Sequence, residues 1–134
     1  MGKLKDVFKV DKPIIGMVHL RPLPGSPKYD PVNMGMDKII SIALEEAAIL
    51  EQAGVDGVQV ENMWDIPYLR SENIGYETAA ALAVGIHAVC DKVSIPVGAE
   101  CHMNGADCAM ACAVAAGASW IRVFEWCNAF VSQS

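Results

Sequence analysis

The chain has 134 residues, 53% hydrophobic and 19% charged, with a formal net charge of −6 at pH 7; this is enough apolar material for the core of one domain and excludes a disordered segment. Ten Lys and Arg residues scattered among sixteen Asp and Glu argue against a duplex nucleic-acid surface and favour a small-molecule ligand. The amino-terminal MGKLKDVFKVDKP is too charged for a secretory signal, and no run reaches the length of a membrane span, so a cytoplasmic protein without a transmembrane segment is expected.

The run Ile14 to Leu20 has no strict alternation, which predicts a strand covered on both faces, as in a parallel sheet flanked by helices. Pro22, Pro24 and Pro27, with Gly25 among them, then impose a stiff loop that can hold a site open. A helix follows from Asp37, with Ile40, Ala43, Ala47 and Leu50 on its apolar face and Gly54 as its terminator. Residues 57–62 read as a second strand, followed by a long loop, MWDIPYLRSENIGYE, and a helix from about Thr78 to Asp91 with Leu82, Ile86 and Val89 on one side. Residues 96–101 make a third strand. A third helix starts at Asn104 or Gly105 and stops at Gly117, its small residues suited to lying close on a sheet. Residues 120–125 make a fourth strand, and the order is βαβαβαβ with links short enough for parallel crossovers. An echo between residues 53–60 and 116–123, each ending a helix and opening a strand, is consistent with a repeated unit.

Strand alternation sorts the polar residues. Val58 and Val60 oppose Gln59 and Glu61; Val97, Ala99 and Cys101 oppose Gly98, Glu100 and His102; Ile121 and Val123 oppose Arg122. With His19, the polar set shares one side. Helices on both sides of an open sheet would make that charge costly to bury, whereas in a barrel the same residues line the lumen near the carboxyl-terminal mouth, where active sites of that architecture lie. The fold expected is therefore α/β, the amino-terminal half of a TIM (β/α)8 barrel with four strands and three helices. Residues 1–134 form one partial domain, with 1–12 as an extension. A full barrel needs eight strands and about 250 residues, so the chain is either a fragment lacking the carboxyl-terminal half or a homo-oligomer that covers its own edges.

His19, Glu61, Glu100 and His102 bring two imidazoles and two carboxylates to three strand ends. They suit acid and base catalysis or a divalent metal such as Zn²⁺ or Mn²⁺, and equally a satisfied polar layer; the spacing fits no named metal motif. Arg21 and Arg122 are candidate ligand contacts, Arg122 neutralising negative charge. Asn62 and Asp65 sit beyond the second strand and suit sugar hydroxyls, although Asp65 can also stabilise the turn before Pro67. Asn104 reads as a helix cap that can also offer N–H groups to an anion. The five cysteines, Cys90, Cys101, Cys108, Cys112 and Cys127, are odd in number and lack a C-x-x-C pair; Cys108 and Cys112, one helical turn apart, read as buried residues. Trp64, Trp120 and Trp126 suit sugar stacking or packing.

The segments Gly16-Met17-Val18-His19-Leu20-Arg21-Pro22-Leu23-Pro24-Gly25-Ser26-Pro27, Gly54 to Asn62, Asp65-Ile66-Pro67 and Trp120-Ile121-Arg122-Val123 closely resemble the BtpA/SgcQ family over nearly the whole chain from Lys12. The resemblance implies a TIM barrel of the ribulose-phosphate-binding group, roughly twice this length, with phosphate loops in the half absent here. It also implies two kinds of role: a link to photosystem I biogenesis in cyanobacteria, and a place beside sugar-uptake genes in other bacteria. Three expectations follow. The protein is a metabolic enzyme of unknown reaction acting on a small, phosphorylated or unphosphorylated, sugar or nucleoside-type metabolite; or it is a non-catalytic assembly factor; or it is a truncated, inactive fragment.

Overall fold

Short apolar strands separated by helices long enough to carry the chain back to its starting edge must pair in parallel. The computed structural model, which describes residues 4–124 and 127, shows this pairing. Its elements in chain order are α1 (Leu4–Phe8), β1 (Ile15–His19), α2 (Met36–Gln52), β2 (Gly57–Glu61), a 3-10 turn at Ser71–Asn73, α3 (Tyr76–Lys92), β3 (Val97–Glu100), α4 (Ala106–Ala116) and β4 (Trp120–Ile121). The four strands form one parallel sheet in the order β1-β2-β3-β4. The order never reverses, as it would in a doubly wound sheet, so crossovers of one hand put α2, α3 and α4 on the same face. This is half of an eight-stranded barrel.

The helix-facing side carries the core. Val18, Val58, Val60 and Ala99 are fully buried there, together with Leu20, Leu82, Ile86 and Val89. The three α3 residues expected on one face are all in it. On α4 the buried residues are Ala109, Cys112, Ala113 and Ala116, small enough to let the helix settle on β3 and β4. Gly54 and Gly117 follow α2 and α4 at φ values of 85° and 81°, a left-handed backbone that glycine adopts without the steric cost a Cβ imposes. The two echoing segments are thus the same device used twice, a helix end turned by glycine into a strand.

Four expectations need correction. β1 is not covered on both faces: Ile15 and Met17 are each 38% exposed and only Val18 is fully buried, because β1 pairs with β2 alone and no wall stands opposite it among the described residues. The inward phase of α2 is set by Ile39, Ala43 and Ala47, and Ile40 and Leu50 lie at the flanks, half-buried. The fourth strand is two residues, Trp120–Ile121; Arg122, Val123 and Phe124 continue without ladder pairing, and Glu125 lies outside the described residues. The extension also contains a helix, α1, so the described residues hold four helices rather than three.

That extra helix has a clear place. Phe8 is the buried residue of α1, and its ring meets Trp120 at 4.8 Å between centroids and 59° between planes. Gly57 leaves the room: a Cβ there would stand 2.9 Å from Phe8 Cε1 and 3.1 Å from the Trp120 ring. Phe8 and Trp120 therefore close the floor of the inner face at the amino-terminal ends of the strands. Gly98 makes the same accommodation one row higher, where a Cβ would overlap both the Trp120 indole and Gln59 Oε1. Replacing Gly98 by Ala should displace the indole, break its 2.7 Å hydrogen bond from Nε1 to Gln59 Oε1 and destabilise the fold by about 1–3 kcal/mol. Urea unfolding with near-ultraviolet circular dichroism reads both effects; an unchanged midpoint and aromatic signal would contradict this packing.

Candidate functional site

The strand register stacks the inner face in rows. Met17, Gln59, Gly98 and Trp120 are mutually paired across the sheet, and two residues further along His19, Glu61 and Glu100 are paired in turn. Arg122, just past β4, completes this upper row: its backbone N–H donates to Ala99 O at 3.0 Å, which aims its side chain over the carboxylates. The row sits at the carboxyl-terminal ends of the strands, the end where barrel sites form.

Within the row the contacts are short. His19 Nε2 lies 2.8 Å from Glu61 Oε1, and Arg122 NH1 donates to Glu61 Oε2 at 3.3 Å and to Glu100 Oε2 at 2.9 Å. Glu61 and Glu100 are 5% and 6% exposed, while the side chains of His19 and Arg122 are 36% and 45% exposed. The carboxylates thus form the base of the site, and the imidazole and guanidinium reach solvent. Burial pushes Glu100 up to about 8, helped by its hydrogen bond to Glu61 and by repulsion from Glu61; Arg122 pulls the other way without cancelling these effects. Two full charges about 4 Å apart repel by about 4 kcal/mol at an effective dielectric of 20, and one pKa unit is about 1.4 kcal/mol. One cation shared between both carboxyls does not offset that repulsion and the burial together, so Glu100 keeps its proton at neutral pH and donates it to Glu61.

Two further side chains belong here. Tyr68, in the loop after β2, is pushed above the ordinary phenol range by burial and then by Glu61 and Glu100, which places its ring beside the row; its hydroxyl donates to Met63 O at 3.0 Å. The sequence carried a signal for Tyr68 only in its position, a phenol on the loop above a polar strand end. Gln59 has the same strand parity as Glu61; it is 2% exposed, and its Nε2 is a buried donor without a hydrogen-bond partner.

His102, Asn62 and Asp65 form a separate group. β3 ends at Glu100, and His102 has a left-handed backbone, φ 47°, so strand alternation no longer governs its direction. Its Nδ1 accepts from Leu69 N at 3.4 Å and its Nε2 stands 4.0 Å from Asp65 Oδ2. Asp65 Oδ1 accepts from Leu23 N at 2.7 Å, Asp65 Oδ2 accepts from Asn62 Nδ2 at 2.9 Å, and Asn62 Oδ1 accepts from His102 N at 3.0 Å. Burial raises Asp65 despite these hydrogen bonds and lowers His102 despite the neighbouring Asp65. All three are at most 7% exposed. The group ties together the loops that follow β1, β2 and β3, and so holds the mouth in shape.

The remaining expected contacts are dispersed. Arg21 donates to His19 O at 3.1 Å and to Glu46 Oε1 of α2 at 2.9 Å. Asn104 is not the cap of α4: the cap is Gly105, without a side-chain hydrogen bond, and Asn104, at φ 54°, is exposed with its N–H on Phe124 O. Trp64 is 47% exposed on the rim, Trp120 lies on the floor, and Trp126 is outside the described residues. His19, Glu61, Glu100 and His102 do not assemble as one ligand set, and among the described residues no group of three or more His, Cys, Asp or Glu is arranged to hold a metal ion. No described helix is long and apolar enough to cross a membrane.

A parallel sheet with helices on one side and a row of charged side chains at its carboxyl-terminal ends defines half of a (βα) barrel. The chain belongs to the BtpA family, whose sequence profile matches residues 10–134. It is similar to an uncharacterised protein of Thermococcus kodakarensis, 45% identical over 84% of this chain and 41% of that one. It is also similar to SgcQ, a protein of the sgc region of Escherichia coli, at 35% identity over 91% of this chain and 44% of that one. The photosystem I biogenesis protein BtpA of Synechocystis is 34% identical over 90% of this chain and 40% of its own length. The chain therefore spans less than half the length of these curated relatives, in agreement with the half-barrel count. No solved structure matches it.

The carboxyl pair sets a pH dependence. Below about 4.5, the ordinary glutamate value, Glu100 is protonated folded and unfolded; between there and about 8 only the folded chain holds the proton, so the Glu100 contribution makes stability fall as pH rises across that window and level off above it. Glu100→Gln keeps a donor for Glu61 and an acceptor for Arg122, and should raise Tm over the parent at pH 9 by at least about 5 °C, what roughly 1 kcal/mol gives a domain of this size, with a much smaller gain at pH 5. A variant no more stable than the parent at pH 9 would contradict the protonated Glu100. Asp65→Ala leaves Leu23 N–H and the Asn62 amide unpaired and should cost about 2–4 kcal/mol in urea unfolding; a loss below about 0.5 kcal/mol would mean that the loops are held by other contacts.

Proposed function

We propose that the row His19, Glu61, Glu100 and Arg122 is the acid–base and ligand-binding part of a small-molecule site, and that the protein binds or transforms a sugar or nucleoside-type metabolite, phosphorylated forms included. The observation that carries this reading is the buried Glu61–Glu100 carboxyl pair at the strand ends, with a half-exposed imidazole on one side and a half-exposed guanidinium on the other; burial pushes Glu100 up to about 8. Such a row supplies the parts that proton transfer on a hydroxyl or carbonyl compound requires: an acid, an acceptor and a cation for developing negative charge. His19 exchanges the proton with the ligand, Glu61 orients His19, Glu100 acts as the neutral donor, and Arg122 takes an anionic oxygen. The Gln59 Nε2 group, which has no hydrogen-bond partner, adds a donor on the same inner face. Asn62, Asp65 and His102 serve by holding the loops, and Arg21 by bracing β1 against α2. The ligand's phosphate, where it has one, is received by the second half of the barrel.

A second reading rests on the relative named for photosystem I biogenesis and on the rim, where Met63 and Trp64 are 44% and 47% exposed. Under it the barrel is a docking platform without turnover, and the loop 70–76 carries the contact.

Thermal-shift screening of the protein at its natural length with sugars, sugar phosphates and nucleosides separates the two. The metabolite reading expects a stabilising ligand whose shift is lost, by about tenfold or more in Kd, in Glu61→Gln and His19→Ala variants that remain folded. Binding unchanged in both variants, or no stabilising compound together with a co-purifying protein released by changes at 70–76, would overturn it.

A further inference from the structure

Arg122 leaves β4 with its backbone N–H on Ala99 O, and its NH1 group donates to Glu61 Oε2 at 3.3 Å and to Glu100 Oε2 at 2.9 Å. One terminal nitrogen therefore serves both carboxyls. NH2 and Nε have no hydrogen-bond or ion-pair partner among the described residues, and the side chain is 45% exposed. These two nitrogens form the side-on edge of the guanidinium, where two N–H bonds point in parallel at the spacing of the two oxygens of a carboxylate. Phe124 restricts the plane. Its ring lies against the guanidinium, with the centroid 5.3 Å from Cζ, which covers one flat face and leaves the edge as the polar surface.

We propose that this edge of Arg122 binds a carboxylate of the ligand, and that the ligand is a hydroxy or keto acid of the sugar-acid class. The inference rests on the reading of the row as a small-molecule site and narrows the compounds it takes. Arg122 and His19 contact opposite oxygens of Glu61, Oε2 and Oε1, so a single carboxyl group separates the anion-binding edge from the imidazole. A hydroxyl or carbonyl within a few carbons of the bound carboxylate reaches His19, the group that exchanges the proton.

The donors present decide between an acid and its competitors. A neutral hydroxyl occupies one N–H of the edge and leaves the other unpaired, whereas a carboxylate occupies both with charge-assisted bonds. A phosphoryl group presents three terminal oxygens that call for donors on several sides. Beside Arg122 stand instead the carboxyls of Glu61 and Glu100, and the other ion-pair partner in the row, His19, is on the far oxygen of Glu61. A flat, two-oxygen anion is the group this edge completes.

Isothermal titration of the protein at its natural length with matched sets tests this: glucose, gluconate and glucose 6-phosphate, then the corresponding forms of mannose, ribose and arabinose. In at least one set the aldonate should bind about tenfold or more tighter than its aldose. Arg122→Lys keeps a cation beside Glu61 and Glu100 but lacks the edge, and should lose most of that preference; Arg122→Gln should lose all of it, with circular dichroism confirming both folds. An aldose that binds as tightly as its aldonate would overturn the carboxylate assignment and leave the small-molecule reading standing, a result that needs no variant. A preference that survives in Arg122→Gln, or a phosphate ester whose advantage over the aldose disappears in Arg122→Lys, would overturn it too. Silence from every set would overturn the inference, while a nucleoside that stabilises the protein would still uphold the wider reading.

Discussion

Parallel register puts Glu61 beside Glu100 on the inner face of a sheet, and a buried pair of carboxyls can carry two charges only at high cost. Much of the surrounding chemistry answers that constraint. Arg122 is held above both oxygens by the backbone that leaves β4, His19 is drawn onto the outer oxygen of Glu61, and Glu100 retains a proton that an isolated glutamic acid would lose. The packing below serves the same end. Phe8 and Trp120 close the floor, and the Trp120 indole occupies Gln59, so the carboxyls stand over an apolar base that keeps them away from bulk water.

Shape at the mouth depends on a different kind of contact. The loops after β1, β2 and β3 are joined by Asp65 and Asn62, whose side-chain oxygens receive the backbone N–H groups of Leu23 and His102. A buried acceptor that satisfies a backbone donor from a distant loop does more for position than for net stability, because leaving either group unpaired costs more than the bond itself gains.

Strand parity made much of this legible. Alternation alone assigned His19, Glu61, Glu100 and Arg122 to one face, and helical spacing assigned Leu82, Ile86 and Val89 to another, because both periods follow from backbone geometry. It failed where the regular backbone stops. His102 carries the parity of Glu100 but lies beyond the last ladder pair with a left-handed φ, and its partners are Asp65 and Leu69. Arg21 meets Glu46 on a helix 25 positions away, a closeness that leaves no mark in sequence spacing. The exposure of β1 was hidden for another reason, since its apolar inner side awaits a wall that these residues do not supply.

The carboxyl titration of the protein, followed by carbon-detected magnetic resonance on side-chain-labelled glutamate, tests the central claim most directly. One glutamate resonance is expected to titrate near 8 and to be absent from Glu100→Gln. If every glutamate titrates below about 6, the two carboxyls share no proton at neutral pH and the row is a structural ion cluster rather than an acid–base site.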